Sequence, residues 1–256
     1  MSRPPSLAQA RSGRGAADQD RVDDAAELPL VPSPSRTLIP ARLARLALPL
    51  LRRGVVGLIV FLVVGNAAIL AASTLAATMV DGPTVPGVEG VPNLRVVDPK
   101  VWRGGAPSKA GYEALRAAGV ATVVDLRAED DARDRDPMIE ALGLRVVHLP
   151  IRDGQLPTPE QVDIFFAVVA NSPGKVFLHC GAGVGRTGAM AAAYLVGTGQ
   201  ATGEGALLRN LEVGPPTLEQ MVYAFDRGAG AGRPNLLVTA SSRVLDAPRR
   251  LWHNLR

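Results

Sequence analysis

One cysteine, three histidines and 4% aromatic residues in 256 positions remove several classes of function before any motif is read. A lone cysteine excludes an internal disulfide, and histidines at 148, 179 and 253 give no zinc-ligand spacing, so no metal site and no cofactor is expected. Scarce aromatics, with no interleaving of basic and aromatic residues, leave little for bases to stack on, and no nucleic-acid partner is expected. The net charge of +4 comes largely from arginine near both ends, a pattern suited to flanks beside anionic lipid.

Charge itself is missing from Gly54 to Val80, while Arg36, Arg42, Arg45, Arg52 and Arg53 precede that run with no acidic residue among them. The run exceeds the roughly 20 residues a helix needs to cross a bilayer and reads as one membrane-spanning helix. A buried core helix is usually shorter. A cleaved signal peptide competes, because the small residues Ala71 to Ala77 resemble a cleavage region, but a signal core is only about 7–15 residues long, which favours an uncleaved anchor. The arginine excess on the N-terminal side keeps that end cytoplasmic and the remainder outside the membrane. The chain then divides into a disordered basic tail (1–53), the membrane helix (54–80), a Gly- and Pro-rich linker (81–92), a catalytic domain (93–228) and a C-terminal tail (229–256). Arg249, Arg250, Leu251, Trp252 and Leu255 give the tail the pattern of a short basic amphipathic helix against lipid, beside the plainer reading of a frayed end.

Within the catalytic domain, short β-rich runs alternate with helical patterns. Strands are expected at 94–97, 101–102, 120–126, 144–151 and 175–179. Helices are expected after Ser108 up to Gly119, near 137–142, from the capping box Thr158–Gln161 to Asn171, over 187–196, and from a second capping box, Thr217–Gln220, to Phe225. This alternation predicts an α/β fold: a mostly parallel central sheet flanked by helices.

One loop carries chemistry. A strand ending at Cys180, glycines at 181, 183 and 185, and a helix opening near Thr187 form an anion cradle: backbone amides point inward and the helix N-terminus adds its positive end. That field should favour the Cys180 thiolate, a nucleophile at the floor of a phosphate site. Gly181, Ala182, Gly183, Val184 and Gly185 would bind the phosphate through their amides, Arg186 would grip two oxygens with its planar fork, and Thr187 is placed to donate a hydroxyl hydrogen bond to the sulfur.

Cysteine, five residues, arginine, threonine is the loop signature of the protein tyrosine phosphatase superfamily, and His179–Gly188 resembles it closely, differing from the commonest form mainly at Gly181. With Val101–Pro107 and Val124–Arg127 as further landmarks, the stretch from Val101 to Phe225 resembles the small dual-specificity phosphatases of the atypical bacterial, fungal and plant type. The resemblance implies a general acid from an upstream loop. Asp153, in Arg152-Asp153-Gly154-Gln155, is the candidate, although in isolation it reads as a turn aspartate before glycine; Asp163 lies inside a predicted helix. It also implies that His179 braces the loop. Arg103 and Arg127 border the pocket or are structural, and Gln220, where some relatives position the hydrolytic water, already completes a capping box. The implied function is a phosphatase acting on phosphorylated protein through a phosphocysteine, with phosphoinositides or inositol polyphosphates as alternative substrates. Sulfur transfer and a non-catalytic phosphate-binding module are the remaining rivals. Nothing in the sequence indicates an oligomeric state.

Overall fold

A computed structural model describes residues 41–80, 85, 87–128, 136–227 and 233–254, without the side chains of 41–48 and 252–254. Two units divide at Pro49, and the second, Pro49–Arg256, holds every feature below.

Helix α1 runs Ala41–Met79, so residues 41–53, assigned to the tail in the sequence, are helical; Ala, Leu and Arg are strong helix formers. Residues 1–40 of that tail, and 81–84 and 86 of the linker, lie outside the described residues. The stretch Pro49–Met79, mean hydropathy 2.6, is long and apolar enough to cross a membrane. From Gly65 onward one face of α1, with Ile69, Ser73 and Ala76 at helical spacing, turns toward the rest of the unit. There Asn66 Nδ2 donates to Leu245 O at 3.1 Å and Ser73 Oγ to Leu211 O at 2.7 Å.

Five strands follow: β1 Arg95–Val96, β2 Val101–Gly104, β3 Val120–Arg127, β4 Arg145–Ile151 and β5 Lys175–His179. They form one sheet in the order β1-β2-β5-β3-β4, antiparallel only at the β1 edge. The helices between them are α2 Lys109–Ala117, α3 Asp136–Ala141, α4 Pro159–Asn171 and α5 Gly185–Gly197, followed by α6 Gly203–Leu211, α7 Leu218–Asp226 and α8 Leu236–Asn254. The expected α/β class, with a mostly parallel sheet flanked by helices, is what the chain adopts.

Strand alternation explains the layering. Val124 and Leu126 of β3, with Val176 and Leu178 of β5, meet Phe165 of α4 and Met190 and Tyr194 of α5. The intervening Val123 and Phe177 face the other way, onto Tyr112 and Leu115 of α2 and Ile139 of α3. Each such fully buried side chain contributes about 1.5–3 kcal/mol. Apolar on both faces, β3 and β5 take the centre of the sheet, and β5 delivers Cys180 to the middle of its carboxyl edge, where ligands of open α/β sheets bind.

Local signals set the helix starts. Ser108, Thr158 and Thr217 cap α2, α4 and α7, the latter two as complete capping boxes. One helix, α6, carried no assignment in the sequence, and another, α8, was anticipated only at its end, in the amphipathic pattern from Arg249. Thr202 caps α6 through Gly205 N, and α8 replaces most of the expected tail, held by Ser242 Oγ accepting from Glu219 N at 3.0 Å.

Candidate active site

Between β5 and α5 the chain turns through Cys180-Gly181-Ala182-Gly183-Val184, and every carbonyl from 181 to 184 is tied from outside the loop. Ala106 N donates to Gly181 O at 2.8 Å. Asn93 Nδ2 donates to Ala182 O at 2.9 Å. Arg103 Nη2 reaches Gly183 O at 2.7 Å and Val184 O at 3.3 Å. With the carbonyls drawn outward, the amides turn inward, as an anion cradle requires. One of them, Gly183 N, points at Cys180 Sγ at 3.3 Å. Gly183 has φ +77°, and a Cβ there would collide with the Gly104 backbone, so only glycine allows the loop to lie this close to β2.

Arg103 therefore acts from behind the loop; it does not border the pocket. It is almost wholly buried, and burial pushes its pKa down to about 10, against the pull of the Cys180 and Glu212 charges. Its guanidinium also meets Asn210 Oδ1 at 3.1 Å, and Asn210 occupies space that a Cβ at Gly188 would fill. Asn93, with φ +52°, is a second brace that no motif pointed to. Its left-handed backbone after proline was the available signal.

His179 lies under the loop, stacked on Phe177 at 5.6 Å, with Nδ1 3.1 Å from Cys180 O and 3.9 Å from Asp125 Oδ1. Burial holds the imidazole below its ordinary value, opposed by Asp125, so a neutral ring with its proton on Nδ1 donates to that carbonyl. Burial pushes the Asp125 carboxyl up, but the two-pronged Arg127 pair at 2.7–3.1 Å and the Arg127 amide at 2.9 Å leave it below the usual range. Arg127 is thus occupied with Asp125, which accounts for its structural role.

Arg186, in the first turn of α5, donates through Nη1 to Ile151 O at 3.1 Å, and its Nη2 lies 3.4 Å from Asp153 Oδ1. The nucleophile loop and the acid candidate are brought together across this one guanidinium; Asp153 keeps 66% of its side chain exposed, as a mobile proton donor needs. Asp163 lies on the exposed side of α4. Thr187 departs from expectation: its hydroxyl is buried without a hydrogen-bond partner, and the sulfur's donor is the Gly183 amide. Gln220 does more than cap α7. Its Nε2 donates to Gln155 O at 3.3 Å, and its amide sits against Gly185, linking the acid loop to the start of α5.

Residues 91–224 match the family described as DSP-PTPase phosphatase fused to NAD+ kinase. The chain is 42% identical over 95 residues to the probable NAD kinase 2, chloroplastic, of Oryza sativa subsp. japonica, a match covering 35% of this chain and 10% of that protein. It is 37% identical over 95 residues to NAD kinase 2, chloroplastic, of Arabidopsis thaliana, with the same coverage. The chain thus spans about a tenth of these relatives. Among solved structures, TpbA of P. aeruginosa is 24% identical with a TM-score of 0.46, covering 64% of this chain and 94% of that one. A putative phosphatase of Shewanella putrefaciens CN-32 is 22% identical with a TM-score of 0.42, covering 64% and 98%. With just over half of its length matched, the chain belongs to the family described as DSP-PTPase phosphatase fused to NAD+ kinase, and it carries a phosphatase domain of the dual-specificity, protein tyrosine phosphatase-like superfamily.

Proposed function

We propose that the chain is a membrane-anchored phosphatase that hydrolyses phosphate monoesters on tyrosine, serine or threonine of protein substrates through a phosphocysteine. The observation that carries this reading is the loop in which four successive carbonyls are held outward around a cysteine whose sulfur already receives an amide hydrogen bond. Cys180 Sγ attacks phosphorus while the bond to the leaving oxygen breaks and Asp153 supplies its proton. Water then attacks the phosphocysteine, Asp153 takes the proton, and the thiolate leaves. Arg186 exchanges Asp153 for two phosphate oxygens, and the amides of residues 181–185 meet the charge that grows on the equatorial oxygens. Thr187 turns its orphaned hydroxyl to the departing sulfur. Ala182 and Val184 place no cation inside the loop for additional phosphates, which favours protein phosphomonoesters over phosphoinositides or inositol polyphosphates.

Anchoring rests on Pro49–Met79, whose first half exposes nearly all of its large apolar side chains from Leu50 to Val64 while its later turns pack on the domain, and the arginines before it orient the catalytic domain outward. One experiment addresses anchor and chemistry together. Membranes from cells expressing the full chain, washed with alkaline carbonate, should retain aryl phosphatase activity that Cys180→Ser removes and that intact cells expose to added protease. Activity that survives in Cys180→Ser rejects the chemistry; activity that washes off rejects the anchor.

A further inference from the structure

Behind the acid loop lies a polar cavity of ≈ 380 Å³ that the reaction does not use. Its wall on one side is the backbone of Gly154–Leu156; on the other are Arg233, Arg243, Arg250 and Glu219. Three guanidinium groups thus face a single carboxylate. Neither Arg233 nor Arg243 makes a hydrogen bond or ion pair among the described residues, and Glu219 Oε1 already accepts from Thr239 at 3.1 Å. Arg250 Nε holds Asp246 at 2.7 Å, and Asp246 is shared with Arg249 at 3.3 Å. All three arginines lie C-terminal to residues 91–224, so the cationic wall of the cavity comes from outside the family-matched segment, while Gly154–Leu156 and Glu219 come from within it.

Position gives the cavity meaning. Asp153 faces Arg186 on the nucleophile side of the loop, while a Cβ on the next residue, Gly154, would run into the Arg250 guanidinium. The two anion-facing surfaces therefore lie on opposite sides of the acid loop, within reach of one extended peptide, which advances about 3.3–3.6 Å per residue. Arginine forks pair with planar carboxylates through two parallel hydrogen bonds. The Glu219 carboxylate in the lining repels a doubly charged phosphate more than a singly charged carboxylate. We infer that the cavity binds an acidic side chain of the phosphoprotein substrate, two or three residues from the phosphorylated one. This rests on the phosphatase reading above for the placement of the phosphorylated residue in the Cys180 loop.

Binding to the full chain in neutral detergent decides the matter without relying on turnover. Two phosphotyrosine peptides of equal length, with glutamates or alanines two and three residues to either side, are titrated against Cys180→Ser by fluorescence anisotropy. The acidic peptide should bind about tenfold tighter, equivalent to about 1.4 kcal/mol. Adding Arg233→Ala and Arg243→Ala should bring the ratio of the two Kd values to near one, and Arg233→Glu with Arg243→Glu should invert it. A ratio is insensitive to any loss of folded protein common to both titrations. Equal affinities before substitution, or a preference that survives both arginine pairs, overturns the inference. So does an intact peptide ratio combined with loss of binding to anionic phospholipid micelles, which assigns the cavity to a lipid headgroup. Failure of the phosphatase reading shows separately, as absence of Cys180-dependent turnover.

Discussion

The acid loop separates two anion-facing surfaces of opposite construction. On the Cys180 side the ligands are backbone amides, aimed by groups outside the loop: the buried Arg103, the exposed Asn93 side chain and the Ala106 amide. On the far side the groups are exposed guanidiniums on and beside α8, two of which make no hydrogen bond or ion pair among the described residues. A backbone-built cradle responds to its braces, whereas a side-chain cavity responds only to its own lining. On the mechanism and binding proposed above, the first supplies transition-state stabilisation common to every substrate, and the second distinguishes between them.

The comparison breaks most visibly at the residue standing between the two surfaces. Asp153→Asn retains the shape and the contact with Arg186 but has no proton to give. The expected loss is about 10²–10⁴-fold in kcat for an ester with a poor leaving group, as general-acid catalysis is worth, and much smaller for a nitrophenyl ester, whose oxygen leaves without help. Stopped assays on both esters measure it. An equal loss on both would mean that Asp153 only positions Arg186.

Cutting a brace should injure every substrate alike. Arg103→Met removes the donor of two loop carbonyls and of Asn210 in a buried place, and each orphaned group costs about 1–3 kcal/mol. The loop amides then lose their aim, and a fall in kcat/KM of about 10²-fold is expected, comparable to losing an oxyanion donor. Thermal denaturation should register the same change as a lower Tm. Acidic and neutral peptides should fall together; a selective loss on one would place Arg103 among specificity groups and erase the distinction drawn above.

What was legible follows the same division. The capping boxes at Thr158 and Thr217 and the apolar run Val120–Leu126 are local signals, readable because propensity and hydrogen bonding act within a few residues. Cys180, Arg186 and Thr187 stood out because cradle chemistry needs fixed spacing along one loop. Arg103 was noticed without its role, since its acceptors lie about 80 residues away in the chain. Gln220 was read as a cap, which it is, but its second contact, with Gln155, depends on how α7 packs. The tail at 229–256 had no periodic signal strong enough to offset its glycines and arginines, and the alignment of Arg243 and Arg250 with Arg233 exists only once α8 lies beside the acid loop.

The smallest expected effect concerns stability, and it tests whether the cradle is braced by a neutral ring. His179 has no exposed surface, and burial keeps its folded pKa below the ordinary 6.5, with Asp125 and the Cys180 carbonyl pulling the other way and Arg127 and His148 adding to the depression. Above pH 6.5 neither folded nor unfolded chain carries that proton and His179 contributes no pH dependence. Below it the unfolded chain binds a proton that the folded chain refuses, so stability falls with falling pH until the folded pKa is reached, by at most about 1.4 kcal/mol per unit. Asp98 and Asp125, both held below their ordinary 3.8, contribute stability that is fully present above that value and is lost only in more acid solution, so the window from pH 6.5 to 5 belongs to histidine. Urea unfolding of the full chain in neutral detergent at pH 7.5 and 5.5 should show a loss of about 1 kcal/mol attributable to this ring, absent in His179→Gln, whose amide retains a donor for Cys180 O. Equal losses in both proteins would mean that the ring is charged in the folded state, adding a cation beneath the sulfur where the cradle has been argued to rely on amides and Arg186 alone.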